Sequence, residues 1–155
     1  MNVVKRAVAV SAIGIAAIAG YEGLRTTAYL DPVGIPTICY GYTENVFLGM
    51  KKTKSECVVM LQEEVDRFTK DVLRISQVPL SQGELDAYVS FAYNVGSGNF
   101  QRSTLLQKLR AGDREGACKQ LTRWVYAKGK QLPGLVARRA AEMKVCLEGV
   151  RESTY

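Results

Sequence analysis

The chain has 155 residues, 47% of them hydrophobic and 23% charged, enough for one domain with a real core. Lys and Arg number 21 against 15 Asp and Glu, and the net charge of +6 points to an anionic partner: nucleic acid, anionic lipid or anionic cell wall. There is no histidine, which excludes Ser-His-Asp and Cys-His catalysis and every His-containing zinc site, and leaves acid–base chemistry to carboxylates, Lys, Tyr or Cys.

The start has the layout of an export signal. Lys5 and Arg6 precede an uncharged run, Ala7 to Gly20, with Ala17-Ile18-Ala19 as a cleavage-like site. Six of the fourteen residues in that run are Ala, and only Val8, Val10, Ile13, Ile15 and Ile18 are strongly apolar. Together these five contribute only about −2 kcal/mol to membrane insertion, and the run is shorter than the ~20 residues a bilayer needs. Three readings stay open: a cleaved signal, a weak uncleaved anchor, and an ordinary buried helix. Cleavage after Ala19 would leave Glu22 beside a free terminus with no helix to hold it. We therefore expect the segment to be exported, kept, and finally packed as a helix.

Tyr21 to Leu48 changes character. Asp31-Pro32-Val33-Gly34 reads as a turn, and Ile35 to Tyr42 holds β-formers, so a small hairpin sheet is expected. Thr53-Lys54-Ser55-Glu56 is a capping box, followed by Leu61, Val65, Phe68 and Val72 at helical spacing, which predicts a long helix to about Ser76. Ser81-Gln82-Gly83-Glu84 is a second capping box; its helix is expected to stop at Gly96-Ser97-Gly98. A helix from Ser103 to Arg110 ends at Gly112, and Asp113 caps one carrying Cys118, Leu121 and Trp124. Lys128 to Gly134 reads as a basic loop, and a last helix, Leu135 to Glu148, is expected to end at Gly149. The fold class is α+β: a small hairpin lobe at about 22–52, a connecting helix at about 54–76 and a mainly helical lobe at about 81–150.

The chemistry gathers in Glu22, Asp31 and Thr37. Hydrolysis of a glycosidic bond needs a protonated acid on the leaving oxygen and a carboxylate on the opposite face of the sugar. A carboxyl at the end of an apolar helix is partly desolvated, which favours its protonated form, whereas an Asp on a turn stays solvated and ionised. Thr37 could hold a water by its hydroxyl. Each residue also has a plainer reading: a solvated helix end, an Asp-Pro turn, a β-branched strand residue.

Residues 22–43 resemble the active-site signature of the phage lysozymes of glycoside hydrolase family 24, in which Glu, eight residues, Asp, five residues and Thr is the catalytic spacing. The resemblance continues through Ser90-Phe91-Ala92-Tyr93-Asn94-Val95-Gly96-Ser97-Gly98-Asn99-Phe100, Ser103-Thr104-Leu105-Leu106, Arg123-Trp124 and Gly134-Leu135-Val136-Ala137-Arg138-Arg139. It covers nearly the whole chain. It implies a lysozyme-like fold and a β-1,4-N-acetylmuramidase (EC 3.2.1.17), with Glu22 as general acid and Asp31 and Thr37 activating the attacking water. It also implies substrate contacts at Asn94, a cleft-lining amide, and at Arg138, which approaches the acids. The other reading of Arg138 is a basic surface pair with Arg139. Gly41 is followed by Tyr42 where the family often has His, which touches a structural contact and not catalysis.

The membrane-compatible N-terminus resembles that of the signal-anchor-release endolysins. This implies export by the host secretion machinery, a tether in the inner membrane (residues 1–21), and activity in the periplasm once the segment leaves the bilayer. A weak anchor suits that role, because a strong one would never leave. None of the four cysteines lies within residues 1–21, so release alone is expected to activate the enzyme. Export favours disulfides. Cys39–Cys57 and Cys118–Cys146, one per lobe, is the expected pairing of the three the sequence permits. No metal, cofactor or nucleic-acid partner is expected, and the chain is read as a monomer whose partner is peptidoglycan. Two alternatives remain: a non-catalytic peptidoglycan-binding localisation protein, and a lytic transglycosylase, which needs only the Glu. A nucleic-acid binder would show a helix-turn-helix, RRM or zinc pattern, and the basic residues are scattered instead.

Overall fold

The computed structural model describes residues 6–153; Lys5, part of the expected export signal, lies outside them. Residues 7–10 are not helical, contrary to the expected helix over 7–20. They lie against the helical body, with Ala7 N–H donating to Leu80 O at 2.9 Å. Helix α1 (Ala12–Glu22) begins at Ser11, whose Oγ accepts from Gly14 N–H, and carries on through Glu22. A hydroxyl at the N-cap satisfies one of the free N–H groups of the first turn, which fixes the start there.

Strands β1 (Arg25–Leu30) and β2 (Pro36–Cys39) form the antiparallel hairpin, pairing Arg25 with Cys39, Tyr29 with Thr37 and Leu30 with Pro36. Asp31 makes the turn: its Oδ1 accepts from Val33 N–H and Ile35 N–H. Helix α2 (Lys54–Ser76) follows, with the full capping box of Thr53 and Glu56. It buries Cys57, Leu61, Val65 and Val72 along one face, the period of a helix against a core.

Helix α3 (Gln82–Val95) has the second capping box, Ser81 and Glu84. Gly96 ends it at φ +91 and at once precedes a further short helix, α4 (Ser97–Gln101), where a stop was expected. Helices α5 (Thr104–Arg110) and α6 (Arg114–Gln120) come next, and α6 gives way to a 3-10 turn at Leu121–Arg123 before Trp124. The basic stretch is a small hairpin, β3 (Tyr126–Ala127) and β4 (Lys130–Gln131). Its two turn residues, Lys128 and Gly129, both have positive φ, the backbone that matches the twist of a two-residue hairpin. The core centres on α3, whose Leu85, Tyr88 and Phe91 are inaccessible to solvent, with Phe100, Leu105 and Leu121 around them. Trp124 packs edge-on to Phe91 at 5.2 Å.

The last helix, α7 (Pro133–Glu152), passes straight through Gly149. That glycine is a contact residue and not a stop. A Cβ on it would stand 2.9 Å from Gly83 Cα and from Glu84 N, so two glycines let α3 and α7 approach closely. Disulfides join Cys39 to Cys57 and Cys118 to Cys146, tying β2 to α2 and α6 to α7. Loops of this length make each cross-link worth about 3 kcal/mol through the unfolded chain. Among the described residues no helix is long and apolar enough to cross a membrane.

Candidate active site

Glu22 is placed by the row of residues before it. Gly14, Ile18 and Glu22 lie four apart in α1, and Gly14 and Ile18 are buried. Residues four apart share one helix face, so Glu22 ends the inward row. Gly23 stops the helix immediately after it, at φ +73, with its N–H on Ala19 O at 2.9 Å; a side chain there would be strained.

Two elements meet the carboxylate. From α7, Arg138 Nη1 donates to Glu22 Oε1 at 2.7 Å. From the end of the hairpin, Gly41 lies against the other oxygen: a Cβ on it would come 2.7 Å from Glu22 Oε2. Behind Arg138 is a buried network. Its Nε stands 3.3 Å from Glu142 Oε2, its Nη2 donates to Ser90 O at 3.0 Å, and its guanidinium covers the Tyr21 ring at 4.8 Å. Ser90 Oγ donates to Glu142 Oε2 at 2.5 Å. Arg139 Nε stands 2.9 Å from Glu142 Oε1, close enough for an ion pair but outside hydrogen-bond angles, and Arg139 Nη2 donates to Asn94 Oδ1 at 2.9 Å.

The network thus holds two guanidiniums and two carboxylates, which is what allows charge to be buried at all. Arg138 is 5% exposed and Arg139 0%, so they are not a basic surface pair. Burial pushes the Glu142 carboxyl above its ordinary range, against the pull of Arg139, Ser90 and Arg138. Burial also pushes Arg139 down to about 10, with Glu142 opposing. The Tyr21 phenol is raised, first by burial and then by the Glu142 charge.

The expected residues fall into two groups. Glu22, Asn94 and Arg138 line one pocket, with Tyr21, Leu132, Gly134 and Leu135. Asp31 and Thr37 lie outside that lining, on the hairpin. Thr37 is buried, four residues before Gly41, and its Oγ1 donates to Ile35 O at 2.9 Å. Lys128 of the β3–β4 turn reaches over to the Asp31 turn, its Nζ donating to Pro32 O at 3.0 Å. Among the described residues no cluster of metal ligands is present.

Tyr21, Ser90, Arg139 and Glu142 were not among the expected site residues. Arg138, Arg139 and Glu142 do carry a signal, since i,i+4 and i,i+3 spacing brings opposite charges together on a helix. Nothing in the local pattern says that this face is buried.

Residues 19–142 match the phage lysozyme family, and the chain belongs to it. Within the family it is of the SAR-endolysin type. It is 41% identical to the SAR-endolysin of Bacteriophage PS119, over 96% of this chain and 94% of that one. Among solved structures, the endolysin from Escherichia coli O157:H7 phage FAHEc1 is 36% identical, with a TM-score of 0.80 over 90% of this chain and 93% of its own. In fold alone, the chain is nearer the active form of the P1 phage endolysin Lyz, 24% identical with a TM-score of 0.78 over 91% and 86% of the two chains. Against the secreted inactive form, 19% identical over 90% and 96%, the TM-score is 0.60. The protein is a peptidoglycan-hydrolysing lysozyme with a lysozyme-like α+β fold.

Proposed function

We propose that this lysozyme is a β-1,4-N-acetylmuramidase that cuts between N-acetylmuramic acid and N-acetylglucosamine, with Glu22 as general acid. The observation that carries this is the environment of Glu22. Arg138 holds Oε1, which leaves Oε2, facing the hairpin, as the oxygen that delivers the proton to the leaving group. Asp31 spends Oδ1 on two turn amides, so Oδ2 is the atom for the attacking water. Thr37 gives its hydroxyl proton to Ile35 O, so its oxygen can only accept from that water. Both groups then pull on water protons and leave a lone pair for the anomeric carbon, which is single displacement with inversion. Asn94 and Arg138 bind the sugar edge of the pocket.

We also propose that residues 1–21 form a signal-anchor segment that is exported by the host secretion machinery, tethered in the inner membrane and later released. With residues 7–21 in the bilayer, Glu22 stays at the headgroup boundary, away from Arg138. On release the segment docks as α1 and the enzyme acts in the periplasm as a monomer in host lysis. The docked segment leaves Ile13 83% and Val8 72% exposed, apolar side chains that a bilayer would cover. Both disulfides suit an oxidising compartment, and the likeness to SAR-endolysins supports the same reading.

The test is the product of wall digestion. Glu22→Gln should abolish cutting, and the parent should leave reducing muramic ends. Anhydro-muramic ends would overturn hydrolysis in favour of transglycosylation. Wall clearing by Glu22→Gln at the parent rate would overturn catalysis by Glu22 altogether.

A further inference from the structure

Helix α1 has 11 residues. A helix that short is marginal alone in water, so its position depends on what it docks against. Its apolar contribution is modest: Gly14 and Ile18 are buried, and Ile15 and Ala19 pack partly against the core. Apart from the Glu22–Arg138 pair at its C-terminal end, its side-chain hydrogen bonds to the helical body converge on one carboxylate at the opposite end.

That carboxylate is Asp86 of α3. Its Oδ1 accepts from Ser11 N–H at 2.9 Å, and its Oδ2 accepts from Ser11 Oγ at 2.5 Å. Gln82 Nε2 donates to Asp86 Oδ1 at 2.9 Å and also to Ala9 O at 2.8 Å, so the non-helical lead and the helix start share one anchor. The Ser11 hydroxyl faces both ways: its proton goes to Asp86 while its oxygen caps Gly14 N–H. Gly14 has no room for a side chain, since a Cβ would stand 2.8 Å from Asp86 Cγ. An anion here also complements the positive end of the α1 dipole.

We infer that Asp86 is a positioning residue, the receptor on the helical body that fixes the N-terminal end of α1 so that its C-terminal end presents Glu22 to Arg138. This rests on the reading of Glu22 as the acid and of α1 as the returning segment. The lever is long: 11 residues span roughly 16 Å, so a tilt of a few degrees moves Glu22 by about 1 Å, a displacement that can cost about 100-fold in rate. Asp86 does not line the Glu22 pocket.

The experiment uses the released full-length chain, soluble glycan oligomers from purified walls, and amide hydrogen exchange resolved by segment. Asp86→Ala is expected to lower kcat at least about tenfold while KM changes less than about twofold. It should speed exchange in residues 12–22 and leave α2 and α5 at the parent rate. Ser11→Ala removes the Oγ bond to Asp86 and the Gly14 cap but keeps the Ser11 N–H on Asp86. It should move the same readouts in the same direction, and the double variant should lose less than the sum of the two, because they share the Ser11 Oγ–Asp86 bond. Glu22→Gln is the separating control: it should stop turnover with α1 still protected. If it does not stop turnover, the catalytic reading fails while the exchange result still judges Asp86. Unchanged exchange in α1, a uniform rise across all helices, or additive losses in the double variant would overturn the inference.

Discussion

Glu22 Oε1 and Arg138 Nη1 meet at 2.7 Å across 116 positions of sequence, joining the end of the first helix to the last one. Both side chains are largely shielded, 17% and 6% exposed. Arg138 is the hinge of the site because its three nitrogens serve three different partners, with Nη1 on Glu22, Nε on Glu142 and Nη2 on Ser90. A lysine ammonium is a single point and cannot span the three. Arg138→Lys should therefore behave nearly as badly as Arg138→Ala, losing about 3 kcal/mol of stability and most of the turnover. Urea unfolding and wall clearing would check it, and a lysine variant with parental values would show that charge alone suffices.

The two glycines of α1 should respond oppositely to alanine. At Gly14 a Cβ would lie 2.7 Å from Val10 Cγ1 and 2.8 Å from Asp86 Cγ, while at Gly20 nothing lies within 4 Å. Gly14→Ala is expected to cost about 1–3 kcal/mol by overpacking. Gly20→Ala should be neutral or gain about 0.5–1 kcal/mol, since it only removes freedom from the unfolded chain. Thermal melts of the two variants make the comparison, and equal effects would mean that α1 is not docked as described.

Acid should weaken the fold partly through Glu56. The Thr53 backbone N–H donates to its carboxylate at 2.9 Å, and this bond, followed by the Thr53 side-chain contact, holds Glu56 below its ordinary 4.5. The folded form therefore binds that proton less readily than the unfolded one. The contribution is complete above pH 4.5 and is lost as pH falls through the depressed value. Glu56→Gln keeps an acceptor but does not titrate. The gap in unfolding free energy between parent and variant should be widest at neutral pH and close on acidification; a constant gap would contradict this.

Much of this molecule is legible in the sequence wherever one local rule decides the outcome. Both capping boxes are present in full, since hydroxyl and carboxyl lie three residues apart on the same turn. The motifs from Glu22 onward resemble the phage lysozymes, and residues 19–142 match that family. Legibility fails where a residue serves a distant partner. Gly149 looks like a helix stop, but its reason is Gly83 on another helix. Lys128-Gly129 lacks the Asn-Gly or Asp-Gly of a common hairpin turn, and so reads as a loop. Glu142 looks like one more surface acid, and only tertiary packing turns it into the buried counter-charge of Arg138 and Arg139. Ser11 looks like a polar flaw in an apolar run, whereas it is the start of the helix.

If docking residues 7–22 on the helical body is what makes Glu22 an active acid, activity must follow the position of that segment. The direct measurement is specific activity on purified walls, compared between the membrane-bound and released fractions of the same full-length chain. A silent membrane fraction and an active released one are predicted, with activity appearing as the segment leaves the membrane. Equal specific activity in the two fractions would contradict it.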